Sequence, residues 1–370
     1  MYNVNMKFNS QFLKQIRSAA ENYVEQNNKK KKLLERLSEE IFNIDFSLLD
    51  LISSPPEYNY AKFEEKFSLY TFNSNFVKDY SILATDGSRI TIDEGLPFPF
   101  YIINVASVFE KVGKSSSHKV NSKSEFYFNK NDLYDEKGDF LAEQDINLKM
   151  LLKEAEFLSE SIEMYNPDIA LFDGSLILWG LKQSKKIETK KAINLYEKPI
   201  FTAFTLKKPI AGYISGTRSK EVIKTLILYL KRKGNNDISN ELLLSLNDSD
   251  LMNSIMKDNQ RTSIFSSTEK LLSNYSHKIY FFFLKIGQEV VRVEIPDFVY
   301  ESKEILDRLI HLLFTEIERG KGYPLILKLA HFEAVINEKD KKFIENILRS
   351  KIKESSSYSE KFLSKISRRI

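Results

Sequence analysis

The chain has 370 residues with 55 basic and 51 acidic side chains, a formal net charge of +4, and 42% hydrophobic residues. That is enough apolar material for a sizeable core, and the near-balance of charge neither demands nor excludes a nucleic-acid partner. It has no cysteine, which excludes disulfides, thiolate metal sites and a cysteine nucleophile together and fits a reducing cytoplasm.

The N-terminus, MYNVNMKFNSQFLK, has no apolar leader core, and no run of about 18 apolar residues suggests a membrane span. From Ser10 to Leu51 the pattern is helical, and the four lysines at 29–32 read as a solvated face or helix junction. SPPEYNY at 54–60 is a break. YSILAT then reads as a strand closing at Asp86, RITID as the start of a second, and FPFYIINVASVFEKV as another, rich in aromatic and β-branched residues. GKSSSHK is a loop, and SEFYFNKNDLYD closes the meander. INLKMLLKEAEFLSESIEMY is helical, with Leu151, Leu152, Ala155, Leu158 and Ile162 on one face, and Asn166-Pro167 stops it. DIALF is a short apolar strand ending at Asp173, and LILWGLKQSKK opens a helix with Ser175 near its cap.

KKPIAGYISG reads as a further strand and TRSKEVIKTLILYLKRKG as an amphipathic helix ended by Gly234. Residues 235–275 are polar and weakly helical, an inserted subregion. KIYFFFLKIG and EVVRVEIP form a hairpin, KEILDRLIHLLFTEIERG a helix, and the stretch from Gly322 to about 352 a helix, a bend and a helix. The expected organisation is an N-terminal helical extension over 1–60, a catalytic domain over 61–340, and a C-terminal helix and tail over 341–370.

Asp-Gly-Ser occurs twice, at Asp86–Ser88 and Asp173–Ser175, each time after an apolar strand. Asp-Gly is a common turn pair, and each copy alone reads as a turn. If the two strands are parallel neighbours, however, both carboxylates project from one sheet edge. Adjacent carboxylates repel, and a divalent cation relieves that; an oxygen-rich site suits Mg²⁺ or Mn²⁺. A third carboxylate would come from the helix before the second strand, where Glu154 and Glu156 border the apolar face from opposite sides and Glu160 is a weaker choice. Of four histidines, His331 in GYPLILKLAH stands downstream of Tyr323, and on spacing alone reads as a core histidine.

ATDGSR, FDGSL, IAGYISGTRS and GYPLILKLAH, in that order over about residues 80–337, resemble the NurA family of nucleases. The resemblance implies an RNase H-like α/β core, a mixed sheet flanked by helices, and a Mn²⁺- or Mg²⁺-dependent DNA nuclease holding two ions. It also implies a homodimer docked on a hexameric HerA-type ATPase. By the same resemblance Asp86, Asp173 and His331 are metal-binding, the helix glutamate that joins them maps best to Glu156 with Glu154 as the alternative, and Tyr323 completes the site. Arg218 and Ser219 fall in the third motif and would contact DNA phosphate. The rival readings are an actin-like nucleotide-binding protein and an inactive subunit that only binds a partner ATPase.

Overall fold

A computed structural model describes residues 9–52, 59–72, 77–92, 98–134, 138–183, 188–235 and 245–354. The break at SPPEYNY and the tail from 355 lie mostly or wholly outside these residues. In chain order, helix α1 (Ser10–Glu40) is capped by the Asn9 side chain, which accepts from Phe12 N at 2.9 Å. A single helical turn, α2 (Phe46–Leu49), follows, then the short strands β1 (Ala61–Phe63) and β2 (Leu69–Thr71). The long strands β3 (Tyr80–Ile92), β4 (Phe100–Val112) and β5 (Ser117–Tyr127) come next. After the turn α3 (Lys130–Leu133) come helix α4 (Glu143–Tyr165) and strand β6 (Ile169–Asp173). Helices α5 (Thr189–Tyr196) and α6 (Lys198–Thr205) lead to β7 (Ile210–Ile214), α7 (Glu221–Arg232) and α8 (Asp248–Ile255). Strands β8 (Gln260–Thr262), β9 (Phe265–Ser267), β10 (Ile279–Ile286) and β11 (Glu289–Pro296) precede the turn α9 (Asp297–Tyr300). Helices α10 (Lys303–Arg319), α11 (Leu325–Ala334) and α12 (Glu338–Glu354) close the described chain. Among the described residues no helix is long and apolar enough to cross a membrane.

The chain divides into two compact units. The first takes residues 1–73, 214–273 and 280–293. Its short strands pair antiparallel, β1 with β9, β9 and β8 with β10, and β2 with β8. Leu33, Leu37 and Ile41 from the end of α1 join Val222, Leu226 and Leu230 of α7 and Phe265, Phe281 and Phe283 in one apolar core. The region expected as a weakly helical insertion is thus partly strand. Residues 260–262 and 265–267 complete this sheet, and α8 supplies Leu251 and Met252 to its core. Three-residue strands are too short to show the alternation that marks a strand in sequence.

The second unit takes residues 74–213, 274–279 and 294–370. Its sheet runs β7-β6-β3-β4-β5. Strands β3, β4 and β5 form an antiparallel meander, while β3, β6 and β7 run parallel. A meander whose first strand is flanked by two parallel crossover strands is the RNase H-like order. The architecture is the mixed α/β sheet flanked by helices that the sequence leads one to expect. Tyr101, Ile103 and Val105 of β4 face α4 through Ile146 and Met150, whereas Phe100 and Ile102 face Ile344 and Leu348 of α12. Alternate residues of one strand therefore bury against opposite layers, as a period of two requires.

Candidate metal and active site

Asp86 does not end a strand. β3 runs without interruption from Tyr80 to Ile92, and all of Asp86, Gly87 and Ser88 pair with β4, opposite Ala106, Val105 and Asn104. The first Asp-Gly-Ser is therefore not a turn. Its glycine serves a close approach instead. A Cβ on Gly87 would stand 3.1 Å from Met150 Cγ and 3.3 Å from Glu154 Oε2, so any larger residue would press on these two side chains where α4 lies against β3. The second copy is a turn: Asp173 is the last residue of β6, and Gly174 leaves it at φ +132° while donating to the Tyr213 carbonyl at 3.0 Å.

The parallel register brings the two aspartates together. Thr85 pairs with Phe172, so Asp86 and Asp173 are the next residues on neighbouring strands, which lie about 4.8 Å apart and present equivalent positions to one face. Ser88, of the same parity as Asp86, contacts the chain at the end of α11, and Gly87 faces α4. The aspartates thus point toward the α11 layer.

That layer supplies two partners. Asp86 Oδ2 lies 2.7 Å from His331 Nδ1, and Asp86 Oδ1 accepts from Gly87 N at 2.8 Å. Asp173 Oδ1 accepts from Tyr323 OH at 2.8 Å, and the Tyr323 ring meets Tyr213 edge-on at 5.1 Å. His331 is not a core histidine; its side chain is 64% exposed. Helix α11 is fixed at both ends. The buried Glu316 accepts from Ile326 N at 3.0 Å at its start. At its other end the Ala334 carbonyl takes donors from Ser88 Oγ and from Asn104 Nδ2, the latter at 2.7 Å. Ser88 Oγ also accepts from Ile336 N at 3.1 Å.

The α4 carboxylate that lies against β3 is Glu154. It is only 1% exposed, on the α4 face with Ala155, Leu158 and Ile162. Burial pushes its carboxyl well above the usual range, and the charges of Asp86 and then Asp173 push it further. Its Oε1 is buried with no hydrogen-bond partner. Asp173 is also raised, by burial first and by Asp86, against the lowering effect of Tyr323 and His331. Burial and the Asp173 charge raise Tyr323 in turn, so its hydroxyl stays protonated and donating.

Glu156, the expected helix carboxylate, is elsewhere. It is part-exposed and ion-paired with Lys198 at 3.4 Å and Lys153 at 3.6 Å. Two residues on a helix point about 200° apart, so Glu154 and Glu156 cannot share a site. The α4 face that meets β3 is the one through 154, 155 and 158. The third motif's Arg218 and Ser219 lie in the first unit. Ser219 Oγ donates to Asp248 Oδ2 at 2.6 Å and accepts from Arg292 Nη1 at 3.1 Å, a polar network of the first unit. Arg218 is an exposed side chain of that unit. Ser175 caps a turn rather than an α-helix: it donates to Glu294 Oε2 at 2.7 Å, accepts from Ile177 N at 2.9 Å, and a 3₁₀ turn over Trp179–Gln183 follows.

Among the described residues no three His, Asp or Glu side chains already stand together at ligand spacing. The donors nonetheless suit a hard divalent cation in type and charge. They are carboxylate oxygens from three elements, mutually repulsive, with one buried oxygen orphaned.

A NurA-domain family model matches residues 80–336. No curated protein matches the chain. Among solved structures the Thermus thermophilus RuvC structure is similar at 7% identity with a TM-score of 0.17, over 44% of this chain and 87% of that one. The matched span holds the whole of the carboxylate cluster, its tyrosine and its histidine, and the chain belongs to the NurA family of nucleases.

Proposed function

We propose that the protein is a metal-dependent deoxyribonuclease that hydrolyses DNA phosphodiesters at the cluster of Asp86, Glu154 and Asp173. The observation that carries this reading is Glu154. A buried carboxylate near two others, with an orphaned oxygen and no compensating cation among the described residues, is costly as an anion unless a cation joins it. Asp86, Asp173 and Glu154 would hold Mn²⁺ or Mg²⁺, two ions in the family's pattern. When bound, such ions acidify water and stabilise the leaving oxygen.

The chain's own groups do the rest. Tyr323 holds the Asp173 carboxylate in place through its hydroxyl, leaving the second oxygen for a ligand. Asp86 fixes the imidazole of His331 through Nδ1, which orients the other nitrogen toward solvent and substrate. His331 can then position water or donate a proton to the leaving oxygen. Its role as a direct metal ligand is the less favoured assignment, because Nδ1 is already engaged. The expected partners are DNA, a second copy of the chain and a HerA-type hexameric ATPase, acting in DNA end processing, repair or defence in the cytoplasm.

The test is hydrolysis of end-labelled linear DNA, single- and double-stranded, with Mn²⁺, Mg²⁺ or EDTA. Degradation should require metal and fall by about 10²-fold or more in Asp173→Ala and Glu154→Gln. Glu156→Gln should retain activity within a factor of a few. Loss in Glu156→Gln with retention in Glu154→Gln would reverse the assignment, and metal-independent degradation would reject the reading.

A further inference from the structure

Helix α11 buries Ile326, Leu327, Ala330 and Ala334 and turns Lys328, His331, Phe332 and Glu333 outward. Lys328, His331 and Phe332 fall at i, i+3 and i+4, one stripe of the helix. Among the described residues Phe332 is the most exposed large apolar side chain, at 78%, and Val335 is 39% exposed. Phe332 follows directly on His331, whose imidazole is anchored to Asp86. The helix under them is pinned at Ile326 N and at the Ala334 carbonyl, so a ring at 332 stands on a rigid support one residue from the histidine that meets Asp86.

An exposed phenylalanine alone needs no explanation. Its position does. Tyr323, the other aromatic at the site, is not free to take a base: its hydroxyl is on Asp173 and its ring is edge-on to Tyr213. An aromatic face standing free beside a site for phosphodiesters matches the one part of a nucleic acid with a π-face, an unstacked base, and such stacking tolerates any sequence.

We propose that Phe332 is a base-stacking platform that holds the unpaired nucleotide flanking the scissile phosphate, and so favours single-stranded or frayed DNA ends. This rests on the nuclease reading above. The ring acts on binding and register, while the carboxylates and His331 act on the phosphate.

The test uses the full chain and its Phe332→Ala and Phe332→Trp variants. Binding to a single strand carrying 2-aminopurine is read by fluorescence in EDTA, and hydrolysis is read in Mn²⁺. Parallel strands carry an abasic residue beside the scissile bond. Phe332→Ala should weaken single-strand binding and kcat/KM by about 5- to 100-fold, Phe332→Trp should restore both, and all three proteins should treat the abasic strand alike. Equal behaviour of Phe332→Ala and the parent on base-bearing DNA would overturn the proposal, as would an equal loss on abasic DNA. A change in oligomeric state with DNA handling intact would also overturn it and assign the ring to a protein contact. If the parent shows no metal-dependent hydrolysis, the nuclease reading fails, and the fluorescence measurement still decides whether Phe332 stacks a base.

Discussion

At the scale of single residues, Glu154 sets the chemistry of the site and its cost. Its folded-state pKa is raised by burial, Asp86 and Asp173, so it binds a proton more tightly folded than unfolded. A group raised in this way contributes stability that is fully present below its unfolded value of about 4.3 and lost as pH rises through the folded value. Glu154→Gln removes that loss. In the absence of metal the variant should match the parent near pH 4 and exceed it by about 0.5–2 kcal/mol at neutral pH, the usual gain when a strained functional group is neutralised. It should at the same time lose the rise in Tm that Mn²⁺ gives the parent, a rise that should itself grow with pH as the carboxylates are freed of protons. Thermal unfolding at pH 4 and pH 7, with Mn²⁺ or EDTA, reads both. A variant less stable than the parent at pH 7 in EDTA would mean that Glu154 is a structural acid rather than one kept for a cation.

At the scale of elements, the site depends on one register. Asp86 and Asp173 are neighbours only because Ile82 pairs with Ile169 and the two strands run in step from there. Asp168 sets that step. It sits just before β6, accepts from Ser81 N at 2.8 Å and Ser81 Oγ at 2.9 Å, and meets Arg308 Nη2 at 2.6 Å. Burial raises its pKa, but the Ser81 bonds and Arg308 outweigh this and hold the carboxyl below its ordinary value. A depressed group contributes stability above its unfolded pKa of about 3.9 and loses it as pH falls through the folded value. Asp168→Ala should therefore cost about 1–3 kcal/mol at neutral pH. The gap to the parent should narrow below about pH 4, which urea titrations at pH 7 and pH 3 would show. An unchanged midpoint at pH 7 would remove Asp168 as the pin of this register. The strand–helix–strand order that makes the two aspartates neighbours was legible in the sequence, because long amphipathic helices and apolar strands carry clear periods. The continuity of β3 through Asp86 was not, since Asp-Gly reads locally as a turn and only pairing with β4 keeps it extended. The choice between Glu154 and Glu156 was not legible either: both border the apolar face of α4, and the sheet beneath decides which side is buried. The serines of the two motifs carried no signal of their roles, because their partners, Ala334 and Glu294, lie more than a hundred residues away.

At the scale of the whole molecule, each of the two units holds a group of buried or part-buried acids of a different kind. The second unit holds the carboxylate cluster. The first holds Arg292, whose Nη1 is 2.6 Å from Glu221 Oε2, with both side chains under 5% exposed, and whose guanidinium lies 3.6 Å from the Phe281 ring centre. Ser219 and Asp248 complete that network. The two sets differ in kind. In the first unit each acid has a cation or a donor, so the network is a closed structural one; in the second, Glu154 keeps a buried oxygen without a hydrogen-bond partner and is raised by the charges of Asp86 and Asp173. Removing one partner of the closed pair strands a buried charge, so Arg292→Met should destabilise by about 3–5 kcal/mol. The networks share no residue, so this loss and the gain from Glu154→Gln should add in the double variant to within about 0.5 kcal/mol. Arg292→Met should also keep the Mn²⁺-dependent rise in Tm that Glu154→Gln abolishes. Denaturant midpoints of the two single variants and the double variant, each with and without Mn²⁺, measure this directly. A coupling above about 1 kcal/mol, or loss of the metal response in Arg292→Met, would mean that the third-motif network supports the metal site and is more than the internal bracing of its own unit.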